Sequence, residues 1–146
     1  PLTLSIQKCL LCEIFNGIYA FPIDLISEIV EVNPKDFYEI QKENVIKVRE
    51  KVIHVRKLNE LFPSTIFNSD DLNPTSQNVL VILNYKSHYV AVPVNQLIGE
   101  EDIVVKSLNR NFKNIDGISG ATIMGDGKVA LIVDVVYVLE NLVQNA

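Results

Sequence analysis

Two cysteines in KCLLCEIF, Cys9 and Cys12, have the spacing of a redox dithiol and of half a zinc site. The other half, a second Cys pair or a His pair at suitable spacing, is missing. In a strand, residues i and i+3 point to opposite faces, so the pattern that makes this segment extended also separates the sulfurs. They read as small buried apolar residues.

The stretch GISGATIMGDGKVALIVD, 117 to 134, holds four of the six glycines and invites three further chemistries. A phosphate loop needs Gly-Lys-Ser/Thr after the second glycine, but Gly125 is followed by Asp126 and Lys128 by Val129. GDGKVA fits a loose dinucleotide pattern, yet it runs into VALIV, a strand and not a helix N-terminus that could hold a pyrophosphate. In GISGA, Ser119 could sit on a nucleophile elbow, but both histidines, His54 and His88, precede it, against the order Ser, acid, His. The acidic groups Asp70-Asp71 and Glu100-Glu101-Asp102 are expected in solvated polar connections. No catalytic residue, metal site or cofactor is predicted, which leaves a recognition module.

Any recognition surface must be positioned by a fold that 146 residues can build as about one domain. A composition 48% hydrophobic and 21% charged is globular. The net charge of -5 argues against nucleic acid, which requires clustered Lys and Arg. No run approaches the roughly 18 apolar residues of a membrane span, and the first residues lack a secretory signal, so a cytoplasmic location is expected without membrane insertion. The chain opens on Pro1 and reads as a piece of something longer.

Short alternating segments predict strands at 9–15, 18–23, 27–32, 37–40, 45–48, 52–55, 78–85, 88–94, 102–105, 118–124 and 129–133. Asn16-Gly17 is a hairpin signal, as is Asp126-Gly127. A polar stretch from Pro63 to Asn78 is the long loop. In the tail, 135 to 143, Val135, Val138, Leu139 and Leu142 share one helical face, predicting a short C-terminal helix over a barrel end.

The halves repeat. AFPIDLI at 20–26 matches AVPVNQL at 91–97 at an offset of 71, and VREKVIHVRKL at 48–58 matches GDGKVALIVDV at 125–135 at an offset of 77. The reading is all-β: one domain over 1–146 made of two similar barrels of about five strands, 9–68 and 77–146. Halves of this size have marginal cores, so the two should share surface or exchange strands.

GISGATIMGDGKVALIVDV resembles the signature of the CheW-like regulatory domain at the C-terminal end of the bacterial chemotaxis histidine kinases, the CheA family. DIVVKSL at 102–108, YAFPIDLISEIVEV at 19–32, VREKVIHVRKLNELF at 48–62 and PLTLSI at the start resemble further parts of it, so the likeness spans the chain. His54 stands where the family often has proline, and Glu50 where a turn glycine is common. The resemblance implies two barrels of Src-homology-3 type. It also implies a non-catalytic domain that docks the kinase to the adaptor CheW and to the cytoplasmic tip of chemoreceptors, in arrays at the inner membrane. The ATP-binding domain would lie upstream. The free-standing adaptor CheW, which shares the fold, is the alternative.

In that family the first barrel of the kinase domain meets the second barrel of CheW. Ile29, Val30, Val32, Phe37, Tyr38 and Ile40 offer more apolar surface than a small barrel buries, and are the expected adaptor contact. Ser119, Gly120 and Ala121 would leave a shallow surface for another backbone or a receptor helix. Receptor engagement is expected in the groove between barrels, with the part of Val92, Val94 and Leu97 left open.

Overall fold

The computed structural model describes residues 4–61, 78–106 and 116–144. The strands are β1 (Leu4–Ile14), β2 (Gly17–Pro22), β3 (Ile26–Glu31), β4 (Phe37–Ile40), β5 (Glu43–Val48), β6 (Lys51–His54), β7 (Val79–Tyr85), β8 (His88–Val94), β9 (Gln96–Lys106), β10 (Ile118–Ile123) and β11 (Val129–Val133). A single helical turn, α1 (Leu58–Leu61), follows β6, and α2 (Val135–Gln144) follows β11. The predicted loop residues Pro63 to Gln77, with Asp70-Asp71, lie outside the described residues.

Side-chain alternation explains the two-sided strands. In β7, Leu80 and Ile82 enter one apolar cluster while Val81 and Leu83 enter another. In β1, Cys9 and Leu11 face one cluster while Leu10, Cys12 and Ile14 face a different one. Strands buried on both faces therefore read as unbroken apolar runs.

The turns correct one expectation. Ile14 pairs with Gly17, so the loop of the first hairpin is Phe15-Asn16 and not Asn16-Gly17. Phe15 takes φ 55 with its ring buried, and its N–H donates to Asn95 Oδ1 at 2.6 Å. That long-range bond and the burial of the ring accompany a turn one residue earlier than the glycine rule suggests. The loops Gln41-Lys42, Arg49-Glu50 and Lys86-Ser87 also have φ between 47 and 73 at both positions, although none contains glycine. Beyond β10, Met124 N–H donates to Lys128 O and closes a loop of three residues, Gly125, Asp126 and Gly127; Gly127 N–H donates to Met124 O, and Gly127 takes φ 88. A left-handed glycine ends the loop, so Asp126-Gly127 belongs to a longer loop than the two-residue turn expected.

A second correction concerns Glu100-Glu101-Asp102. These acids lie inside β9, paired with Leu10, Cys9 and Lys8 of β1. Strand β9 closes one edge of its sheet, and exposed charges on an edge discourage pairing with another chain.

Strand pairing crosses the two sequence halves. One sheet has the order β10-β11-β2-β1-β9; the others are β3-β7-β8 and β4-β5-β6. Thus the hairpin β1–β2 joins β9, β10 and β11, whereas β7–β8 joins β3. The repeat explains the arrangement. Ile132 pairs in parallel with Ala20, and Val55 pairs in parallel with Ala91, its counterpart at the two offsets. Each half has lent its hairpin to the other.

Among the described residues the core falls into three apolar clusters. Val32, Ile46, Ile53, Val55, Leu80, Ile82 and Ala91 form the interior of the first barrel. Cys9, Leu11, Ala20, Ile103, Ala130 and Ile132 form that of the second. Between them a larger shared cluster includes Phe21, Val81, Leu83, Val92, Val94, Val133 and, from the helix, Val135, Val138 and Leu139. The expected cap over a barrel end is therefore part of the shared core, packed on β7 and β8. Asp134 starts α2: its Oδ1 accepts from Tyr137 N–H at 3.1 Å, and its own N–H donates to Gly117 O at 2.8 Å.

Candidate interaction surface

The sheet β4-β5-β6 presents its outer face to solvent. Phe37 pairs with Ile46 and Tyr38 with Val45, and Val45 pairs in turn with His54. Alternation sends Phe37, Ile46 and Ile53 inward and leaves Tyr38, Ile40 and Val52 outward, 59%, 50% and 58% exposed. Val45, between Tyr38 and His54 in the cross-strand row, is nonetheless buried. Charged side chains share this face: Glu43 pairs with Ile40, and Lys47 with Val52. Glu43 Oε2 lies 3.1 Å from His54 Nδ1, and Arg56 donates to Glu43 Oε1 at 3.0 Å.

The structure splits the expected adaptor set. Tyr38 and Ile40 share the outer face of β4. Ile29 is exposed on β3, opposite Val81, on the side facing away from the first-barrel interior. Val30 and Phe37 are half-buried against that interior, and Val32 is within it, only 7% exposed. Val32 is therefore a core residue, because its N–H is tied to Asn78 O at 2.9 Å and its side chain meets Leu80 and Ile82 in one cluster. Val30, Val32 and Tyr38 still line one depression of about 400 Å³ together with Lys47, Arg49 and Glu50. Sequence reasoning missed Val52. The alternation of Val52, Ile53 and His54 carried the signal, since an inward Ile53 requires an outward Val52.

Ser119, Gly120 and Ala121 fall on β10, the other edge of the five-stranded sheet. Ile118 pairs with Val133 and Gly120 with Ile132, so Ser119 is the extra residue of a β-bulge. Its hydroxyl lies 3.4 Å from Ile132 O. Beyond them Ile123 and Val129 face each other at the hairpin tip, both exposed. Val92 and Val94 are fully buried in the shared core and line no groove; Leu97 is partly exposed. A depression of about 970 Å³ lies between the sheet of β6, the β7–β8 turn and α2, and includes Val52, His54, Arg56, Tyr89, Leu139 and Leu142.

The cysteines are placed as alternation requires. Both are fully buried, in different clusters, and burial pushes the Cys9 thiol up to about 11 and the Cys12 thiol up to about 12. A thiol held neutral in this way is a poor nucleophile. Among the described residues no three His, Cys, Asp or Glu side chains converge on a metal position, and no helix is long and apolar enough to cross a membrane.

A paired-barrel domain with an uncovered apolar sheet face defines an interaction module. The chain belongs to the family of CheW-like domains, whose model matches residues 8–143. Among curated relatives it is similar to the sensor histidine kinase CheAY of Helicobacter pylori, 36% identical over 135 residues, covering 92% of this chain and 16% of that protein. The chemotaxis protein CheA of Treponema pallidum is 36% identical over 140 residues, covering 96% and 17%, and that of Salmonella typhimurium 33% over 136 residues, covering 92% and 20%. The chain thus spans about a fifth or less of these proteins. Among solved structures, the scaffolding protein TtCheW from Thermoanaerobacter tengcongensis has the same fold, with a TM-score of 0.65 at 16% identity, covering 89% of this chain and 90% of that one.

Proposed function

We propose that this chain is the docking and regulatory domain of a chemotaxis sensor histidine kinase, without catalytic residues of its own. It binds the adaptor CheW and the cytoplasmic tip of chemoreceptors, and couples receptor state to an ATP-dependent kinase elsewhere in the parent protein. The working location is the cytoplasmic receptor array at the inner membrane. The observation that carries the reading is the uncovered apolar face of Tyr38, Ile40 and Val52 on a domain whose relatives are chemotaxis kinases. Aromatic and aliphatic side chains exposed together beside a depression are the usual anchors of an interface.

In this reading Tyr38, Ile40 and Val52 are the adaptor contact, with Ile29, Val30 and Phe37 at its border. Val32 supports it from beneath. The bulged edge at Ser119, Gly120 and Ala121 serves a second contact, with another adaptor or the receptor. A free-standing adaptor would use the same surfaces. The kinase reading is preferred because curated relatives such as those of Treponema pallidum and Salmonella typhimurium are CheA proteins, and a gene hundreds of residues longer than this chain would decide for it.

Titration calorimetry with the cognate CheW tests the assignment. Micromolar binding is expected, and Tyr38→Lys, still folded by circular dichroism, is expected to weaken it at least tenfold. Undiminished binding by that variant moves the contact elsewhere, and no binding by the unmodified chain removes the reading.

A further inference from the structure

The outer face of β4, β5 and β6 is a grid of side chains with one titratable ring inside it. Ile40 pairs with Glu43, Tyr38 with Val45, Val45 with His54, and Lys47 with Val52. Cross-strand partners share a face about 5 Å apart, and residues two apart along one strand share it at about 7 Å. His54 therefore stands in the row of Tyr38 and next to Val52 on β6. Any partner that touches Tyr38, Ile40 and Val52 together also covers Glu43 and His54.

The Glu43 carboxylate is engaged at both oxygens. Oε1 accepts from Arg56 at 3.0 Å, and Oε2 lies 3.1 Å from His54 Nδ1. A proton on Nδ1 donates to that oxygen, so in the neutral ring Nε2 is bare, and Nε2 is the atom that gains a proton when the ring becomes charged. With the ring neutral, Glu43 and Arg56 balance one to one. With the ring charged, one carboxylate stands between two cations. Other ionisable groups face this corner from each neighbouring element. Lys47 lies on β5 and Tyr38 on β4. Across the depression that His54 lines, α1 brings Glu60, the β7–β8 hairpin brings His88 and Tyr89, and α2 brings the apolar Leu139 and Leu142. Lys51 of β6 is turned to Tyr89, whose hydroxyl accepts from Nζ at 2.8 Å. Among these side-chain types only imidazole ordinarily changes charge between pH 6 and pH 8.

We propose that His54 makes adaptor docking pH-dependent, with the neutral ring as the docking form; this rests on the docking reading above and names a regulation of the same surface. The His54 side chain is 52% exposed, so water solvates Nε2 in the free domain. An apolar partner surface removes that water and offers no acceptor in its place. Covering an uncompensated charge costs more than covering a neutral ring that keeps its bond to Glu43. Docking thus expels the Nε2 proton, and by linkage the affinity falls as pH drops through the imidazole range. A fall in internal pH then loosens the complex with no change in the receptor.

Titration calorimetry of the intact parent chain with its cognate CheW at pH 8 and pH 6 tests this. The dissociation constant is expected to be about fivefold higher at pH 6. His54→Gln carries no charge at either pH and keeps a donor for Glu43, so its dissociation constant should change less than about twofold, whatever its absolute value. His88→Gln should retain the full dependence. Proton release by the unmodified complex, read as a binding enthalpy that varies with the ionisation enthalpy of the buffer, gives a second measurement that needs no variant. A dissociation constant level between the two pH values, tighter binding at pH 6, a change that persists in His54→Gln, or binding without proton release each overturns the inference and leaves the docking reading standing. Absence of binding at both pH values removes the docking reading and this inference with it.

Discussion

Val32 and Tyr38 belong to one apolar set in the sequence, yet they play opposite parts. Val32 fills the first barrel beside Leu80 and Ile82, and Tyr38 stands in solvent. Val32→Ala is expected to cost about 2 kcal/mol through lost burial and a residual cavity, read as a lower urea midpoint. Tyr38→Lys should stay within about 0.5 kcal/mol of the unmodified chain, because an exposed side chain leaves no cavity. The two variants thus separate stability from docking. The cysteines give a prediction with a definite sign. Burial raises the thiol pKa values from 9.0 to about 11 and about 12, so the folded state holds its thiol protons more tightly than the unfolded chain does. The stability linked to them is complete below pH 9 and is lost as pH rises toward 11 and 12. The urea midpoint should fall between pH 8 and pH 10, and less so when both cysteines are replaced by alanine. Native protein at pH 8 should not react with a thiol reagent until it unfolds.

Hairpins show where local rules end. Arg49-Glu50 and Lys86-Ser87 adopt positive φ at both loop positions with residues that resist it. Both loops are exposed, so Asn-Gly in place of Lys86-Ser87 should stabilise the chain by about 1 kcal/mol, seen as a raised melting temperature. The same reasoning run backwards applies to Gly127, whose φ of 88 makes Gly127→Ala unfavourable by about 1 kcal/mol. Gly120→Ala should be nearly neutral, since a methyl there meets only Ile132 Cδ1 at an ordinary 3.6 Å. Strand existence was legible throughout, because alternation and turn residues are local signals. The first loop was misplaced by one residue because Asn95, distant in sequence, holds Phe15. The acids of β9 looked like a loop because an edge strand needs no apolar outer row. For the same reason the exposed outer face of β4, the proposed docking face, was legible in residue type, aromatic and aliphatic side chains near a turn, but not in membership. Which of Val30, Val32 and Tyr38 faces outward depends on register, and Val52 emerged only once Ile53 was placed inside.

At the scale of the molecule, the repeat was readable at offsets of 71 and 77, and the marginal size of each half pointed to shared surface or exchanged strands, but not to which strands cross over. Periodicity states which face of a strand is buried and is silent on which strand lies beside it. The consequence is mechanical. The first barrel requires β7 and β8 from the second half, the second requires β1 and β2 from the first, and Val81, Leu83, Val92 and Val94 join both through the shared core. The two barrels keep separate sheets, and it is the shared core packed between them that couples them, so unfolding should be a single cooperative event. Ile132→Ala, inside the second barrel, is expected to cost about 3 kcal/mol and to speed native-state hydrogen exchange in β5 of the first barrel as much as in β11. Acceleration confined to β10 and β11 would mean that the barrels open separately. A docking event on β4 would then reach the second barrel only weakly, whereas one cooperative unit passes a contact on either barrel to the whole domain.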